Sequence, residues 1–159
     1  MNWDAIAAFV EGIGALAVIG SLVYVASQIR LANRISVREA RAELVDTIQG
    51  IYRLPLEHPH LAELNVKLES RDATFTKEEA DQVRALASLW ITFLSKVNGT
   101  YESGLLPEKV FKVYLSNFSS QLRRQPGFIS FLVEAYEQSS IRPGDFEAHD
   151  HIFALMTEF

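Results

Sequence analysis

The chain has 159 residues, about the length of one domain, and a formal net charge of −5 at pH 7. Hydrophobic residues make up 48% and charged residues 22% of it, a balance typical of folded rather than disordered chains. The absence of cysteine excludes disulfides, thiolate metal sites and cysteine nucleophiles. From Leu54 onward ten basic residues face fifteen acidic ones, so nucleic acid is not expected as a partner.

The first predicted element is an apolar helix over Ala5–Ala26, in which Glu11 is the only charged side chain. At 1.5 Å per residue this run is roughly 33 Å long, enough to cross a hydrocarbon core of about 30 Å. It therefore predicts a single-pass transmembrane helix, assigned to residues 1–28. Two alternatives are a cleaved signal peptide, which favours a basic start and a shorter apolar stretch, and the buried central helix of a soluble protein.

Arginines follow the apolar run directly, whereas no lysine or arginine precedes it. Since cytoplasmic flanks of membrane helices are rich in basic residues, this asymmetry predicts an N-terminus outside and the bulk of the chain in the cytoplasm. The arginines can also contact anionic lipid headgroups, although a solvated stop-transfer cluster is the simpler explanation. The predicted membrane-surface residues are Arg30, Arg34, Arg38 and Arg41.

Small residues surround the single acid of the apolar run. Three-to-four spacing places four residues on one helix face: Ala8, Glu11, Gly12 and Ala15. Small residues at this spacing let two helix backbones approach closely in lipid, and an acid within a membrane usually faces protein. The pattern predicts a helix–helix interface in a homo-oligomer. The alternative is that Glu11 reaches the outer headgroups or is neutral.

Helical periodicity continues beyond the apolar run, and no strand pattern is present in the sequence. A juxtamembrane extension over residues 29–53 is predicted to end at Leu54-Pro55, because the residue before proline avoids the helical region. Its buried stripe is predicted to comprise Val37, Leu44, Val45, Ile48, Ile51 and Tyr52.

Residues 54–159 are predicted to form a cytosolic helical bundle whose helices are separated by proline, glycine and capping signals. The boundary signals are, in chain order, Pro59, a capping box from Thr76 to Glu79, Ser103-Gly104, Pro107, Pro126-Gly127 and Arg142-Pro143-Gly144-Asp145. A final short helix is predicted from about Phe146. The expected fold class is all-α: an N-terminal transmembrane helix continuing into a cytosolic helical bundle of about four to five helices.

Groups with chemical potential are few. The histidines form two H-x-H pairs, His58–His60 and His149–His151, which with Asp150 would bind zinc if their segments met. Residues two apart do not share a helix face, so solvated histidines are favoured and no metal or cofactor is predicted. Glu102 and Glu134 lie beside apolar stripes, and we expect each to find an arginine or stay at the surface. No nucleotide-binding or hydrolase motif is present, so no catalytic residue is predicted and the chain is not expected to be an enzyme.

The opening of the chain carries a set of short motifs: Asn2-Trp3, Glu11-Gly12, Ser21-Leu22, Tyr24 and Gln28-Ile29-Arg30. Together with the later stretch from Tyr101 to Pro107, they resemble a group of small bacterial proteins of unknown function. The resemblance covers the first 34 residues well and the rest loosely. It implies a bacterial inner-membrane protein with a helical cytosolic domain, and it implies no activity.

Three functional hypotheses follow from these patterns. The leading one is a non-enzymatic, membrane-anchored module whose span self-associates and whose cytosolic bundle docks a protein partner. The second is a small ion- or proton-conducting assembly in which Glu11 lines the pathway. The third and weakest is a metal-binding sensor or enzyme built on the two histidine pairs.

Overall fold

The computed structural model describes residues 3–139, and these residues are all helix, turn and short connection. Within this range there are five α-helices and one short 3-10 helix, and no strand, which confirms the predicted all-α class. The elements are α1 (Trp3–Glu57), α2 (Pro59–Lys67), α3 (Lys77–Glu102), α4 (Glu108–Arg124), the 3-10 helix Pro126–Phe128 and α5 (Ile129–Gln138). The predicted turn at Arg142 and the final helix from Phe146 lie outside the described residues.

The chain divides into two compact units between Glu39 and Ala40, so that α1 contributes to both. In the described range the first unit is the part of α1 up to Glu39, which contains the apolar stretch and the arginines that follow it. The second unit contains the remainder of α1 and the helices α2 to α5 around one hydrophobic core. The domain boundaries expected after residues 28 and 53 remain predictions.

Helix α3 is the central helix of the second unit, as its three-to-four apolar spacing indicates. This spacing predicts one inward face made of Ala80, Val83, Ala87, Trp90, Leu94, Val97 and Tyr101. All of these are buried except Ala80 and Tyr101, which are half-buried. Helices α4 and α5 both pack against α3. The apolar periodicity of α3 therefore predicted the main buried face of this helix, while most of the other core residues come from the helices and connections around it.

The indole of Trp90 joins three helices. Its ring centroid lies 5.8 Å from that of Tyr52 on α1, 6.0 Å from that of Phe93 on α3 and 5.5 Å from that of Phe118 on α4. These distances are in the range at which aromatic pairs attract one another beyond simple burial. The cluster holds the end of α1 against the bundle.

Helix α1 ends later than Leu54-Pro55, the position that the sequence predicts. It continues to Glu57 with Pro55 inside its last turn. Proline lacks an N–H donor and its ring crowds the carbonyl four residues earlier, but the N–H of His58 still donates to the Leu54 carbonyl at 2.9 Å. Leu54 and Pro55 are also half-buried, so packing outweighs the preference of a pre-proline residue for extended backbone.

The buried stripe of α1 in the second unit is narrower than predicted. Leu44 and Ile51 are buried and Ile48 is partly buried, whereas Val45 and Tyr52 are exposed. Each exposed residue follows a buried one and lies about 100° further round the helix. The prediction for these two was wrong because the spacing of apolar residues in a helix does not give the width of the surface that covers it.

The capping box at the start of α3 is present in full. The Thr76 hydroxyl accepts the Glu79 N–H at 3.3 Å, and the Glu79 carboxylate accepts the Thr76 N–H at 2.8 Å. The same carboxylate pairs with Lys67 at the end of α2. The hydrogen bond from Lys67, and then that from the Thr76 backbone, lowers the pKa of Glu79 below its ordinary value.

Replacing Thr76 by alanine is expected to destabilise the full chain by about 1 kcal/mol, since one helix-end N–H loses its acceptor. The change is measured by chemical denaturation followed by tryptophan fluorescence. Thr74→Ala is the control, because Thr74 is also exposed and lies just outside the box. Its effect should stay within about 0.5 kcal/mol. An equal loss in both variants would contradict the assigned role of the cap.

Candidate membrane-spanning site

The apolar part of α1 leaves its side chains uncovered. Within the described residues, α1 is the one helix long and apolar enough to cross a membrane, and 0% of its apolar window is buried. The large side chains of Leu16 and Leu22 are 70% and 64% exposed. The central helix of a soluble protein meets the same test of length and composition, but it would be covered by its own fold. The first unit of this chain therefore lacks the main feature of such a core helix.

The two serine hydroxyls of the apolar stretch are hydrogen-bonded within the helix itself. The Ser21 hydroxyl donates to the Val18 carbonyl and the Ser27 hydroxyl to the Tyr24 carbonyl, each at 2.7 Å. Backbone N–H and C=O groups within a continuous α-helix bond to one another. The segment thus meets the main requirement of a hydrocarbon environment, which offers no other hydrogen-bonding partner.

The predicted helix–helix face is open where the structure describes it. Glu11, Gly12 and Ala15 are exposed, while the side chain of Ala8 lies outside the described set. A Cβ built on Gly12 meets no neighbour within 4 Å in the described chain, apart from its own helix backbone. This face has room for a second helix, and self-association stays a prediction.

The four predicted membrane-surface arginines divide between the two units. Arg30, Arg34 and Arg38 are exposed in the first unit, and none of them takes part in the ion pairs of the described residues. Arg41 belongs to the second unit, where its positive charge interacts with the Tyr114 hydroxyl of α4. Burial raises the pKa of the Tyr114 hydroxyl, and the positive charge of Arg41 opposes that rise. Arg41 is therefore associated with the bundle as well as with the arginine series.

A polar contact that sequence reasoning missed ties α1 to α3 within the second unit. The ammonium of Lys96 lies 2.7 Å from the Glu43 carboxylate and donates to the Thr47 hydroxyl at 3.4 Å. The partners are about fifty residues apart in the chain, so no local spacing rule of the kind that applies within one helix connects them. Only the packing of the helices reveals this pair.

The two acids beside apolar stripes behave as expected. Glu134 accepts two hydrogen bonds from Nε of Arg84, at 3.1 and 3.2 Å. Glu102 is exposed and accepts a hydrogen bond from the Asn98 amide at 3.1 Å. Each carboxylate therefore has a structural role at the rim of the bundle.

The first histidine pair lies at the surface where α2 begins. The rings of His58 and His60 are 5.7 Å apart, and both residues are exposed. Across residues 3–139, no group of three or more potential metal ligands is found. The second pair, His149 and His151, and Asp150 between them lie outside the described residues.

Comparisons of the chain with protein families, with curated proteins and with solved structures found no match. The resemblance of the opening residues to a group of small bacterial membrane proteins therefore stays a prediction.

Proposed function

We propose that this chain is a membrane-anchored helical module. In this proposal the apolar part of α1 crosses the inner membrane of a bacterium once and self-associates there. The second unit lies in the cytoplasm and docks a protein partner, without catalysing a reaction. The observation that carries the proposal is the exposure of the large apolar side chains of the first unit. None of the apolar window of this helix (0%) is buried.

The energetics of transfer support a lipid environment for this helix. Each large apolar side chain moved out of water contributes about 1.5–3 kcal/mol. The exposed side chains in question are Phe9, Ile13, Leu16, Val18, Ile19, Leu22, Val23 and Val25. One acid at the centre of a membrane costs about 2.5–3.5 kcal/mol on insertion scales. The summed apolar gain is therefore several times the cost of Glu11.

The basic residues that follow the apolar stretch support a cytoplasmic second unit. Arg30, Arg34 and Arg38 lie on the side of the span that leads to the bundle, and positive charge near a membrane helix favours the cytoplasmic side. The test is protease treatment of inverted and right-side-out membrane vesicles that contain the full chain. We expect the bundle to be cleaved in inverted vesicles only. Cleavage in right-side-out vesicles only would contradict the orientation.

Self-association is expected to depend on the face that contains Gly12. Leucine at this position would hold two helix backbones apart, so Gly12→Leu should weaken the oligomer by at least about tenfold, or about 1.4 kcal/mol. The measurement is light scattering of the full chain in detergent over a range of protein-to-detergent ratios. A wild-type chain that is strictly monomeric would contradict this part of the proposal.

Ala17→Leu is the matched control for this experiment. Ala17 is also small and exposed in the apolar stretch. It lies at least about 120° round the helix axis from every residue of the predicted face, so leucine there adds bulk away from the interface. The control should keep the wild-type mass. Equal dissociation of both variants would indicate a general effect of added bulk rather than an interface.

A further inference from the structure

We infer that Arg30, Arg34 and Arg38 form a binding row for the phosphate groups of anionic phospholipids. The inference rests on the proposed function, because the row meets a lipid surface only if the preceding helix crosses the bilayer. It adds to that function a lipid partner and the three side chains that bind its phosphate group. The simpler alternative is a solvated cluster that stops transfer without preferring any lipid.

The three arginines share one side of the helix. Successive members are four residues apart, so each lies only about 40° round the axis from the last, and the row is about 12 Å long. Arg30 comes four residues after Ala26, where the uninterrupted apolar stretch ends. The row therefore begins about 6 Å beyond the hydrocarbon boundary, within the headgroup layer of an ordinary bilayer.

Side-chain direction brings the guanidinium groups closer to the lipid than their backbone positions suggest. In an α-helix the Cα–Cβ bonds tilt toward the N-terminus, and long side chains extend back over the preceding turn. For this helix the N-terminal direction is the direction of the proposed span. The row thus reaches back toward the headgroups rather than away from them.

The row has no counter-charge of its own. No aspartate or glutamate lies three or four residues from any of its members, and none of the three joins an ion pair of the described residues. Like charges four residues apart on a helix repel and destabilise it. The nearest carboxylate of the helix, Glu39, follows Arg38 directly but lies about 100° round the axis from it. A phosphate supplies negative charge in a form that the planar guanidinium binds through two parallel hydrogen bonds.

The test uses the full chain reconstituted in phosphatidylcholine bilayers with spin-labelled phosphatidylglycerol or spin-labelled phosphatidylcholine. Electron spin resonance gives the fraction of each label held at the protein. Each arginine near an anionic surface adds about fivefold in attraction. We expect the wild-type chain to prefer the anionic label by at least about fivefold, and Arg30→Gln/Arg34→Gln/Arg38→Gln to bring that preference close to one.

Two further variants distinguish lipid binding by the row from the effects of net charge and of membrane insertion. Arg53→Gln/Arg71→Gln/Lys109→Gln removes the same charge from three exposed residues of the second unit and should keep the preference. Arg30→Lys/Arg34→Lys/Arg38→Lys keeps the positive flank that orients the span, but lysine contacts phosphate only as a point charge and should keep only part of the preference. Equal loss in the second-unit variant, or an unchanged preference in the glutamine variant, would overturn the inference.

The source of the phosphate is tested in the same bilayers. Inorganic phosphate added at millimolar concentration should leave the preference for the anionic label unchanged, because the lipid is held at the site by the membrane. If inorganic phosphate abolishes the preference, the row is a site for a soluble anion and the lipid assignment is wrong. A chain that enters neither kind of bilayer would overturn the proposed function together with this inference, whereas insertion without lipid preference would overturn the inference alone.

Discussion

Two arginines placed in the middle of the apolar helix are expected to remove the chain from the membrane. In Ile19→Arg/Leu22→Arg, each arginine costs about 2.5–3.5 kcal/mol at the centre of a membrane helix, and each lost apolar residue gives up about 0.5 kcal/mol more. The combined cost is about 6 kcal/mol or more. The fraction of protein that stays in the membrane pellet after alkaline carbonate extraction should fall from nearly all to a small minority.

The matched control places the same two charges on exposed apolar residues outside the first unit. Leu56 and Val66 are 83% and 66% exposed, comparable to the residues changed in the span. Because they are not proposed to meet lipid, Leu56→Arg/Val66→Arg should stay in the pellet like the wild type. If the span variant also stays there, the apolar helix is held at the membrane by something other than insertion. Release of both variants would indicate misfolding instead.

The parts of the fold that sequence reasoning predicted well depend on short-range chemistry. The Thr76 hydroxyl and the Glu79 carboxylate satisfy each other's backbone donors, so the start of α3 is decided within four residues. Its end is decided similarly, because Gly104 adopts a φ of +73° that other residues avoid. Such signals need no knowledge of the rest of the fold.

The parts that sequence reasoning missed depend on contacts between helices. Val45 and Tyr52 fit an apolar stripe, yet the bundle covers only the neighbouring row of Leu44 and Ile51. Asn98 is completely buried within a helix whose other inward residues are mostly apolar. Its spacing from Leu94 places it near the inward face, but its polar side chain argues for exposure. Both results are set by the width and shape of the opposing surface, which one helix does not specify.

The candidate site was predictable in composition but not in environment. The apolar run and the arginines after it can be read directly from the sequence, because length and charge decide whether a helix is able to span a bilayer. Whether that helix lies in lipid or in a protein core depends on what covers it. Residues such as Leu16 are exposed in the described chain. Membrane extraction and light scattering test the two environments proposed for them, lipid and a second copy of the helix.

Among the described glycines, Gly127 is the one where an added methyl group is expected to cost the most stability. Gly127 is buried at the junction of α4 and α5, and its N–H donates to the Leu68 carbonyl at 2.9 Å. A Cβ there would lie 2.4 Å from the Ser70 carbonyl oxygen and 3.0 Å from that of Leu68. Both obstacles are backbone atoms, so relief requires the connection after α2 to move. Gly127→Ala should lower the free energy of unfolding by about 3 kcal/mol, the upper part of the range for overpacking.

Gly99→Ala is the matched control, since Gly99 is exposed in the interior of α3 and an added Cβ meets nothing within 4 Å in the described chain. Replacing a helical glycine there should raise stability by up to about 1 kcal/mol. Glycine-to-alanine substitution should therefore shift the denaturation midpoint in opposite directions at the two sites. A shift of the same sign and size at both would contradict the close approach of Gly127 to the Ser70 carbonyl.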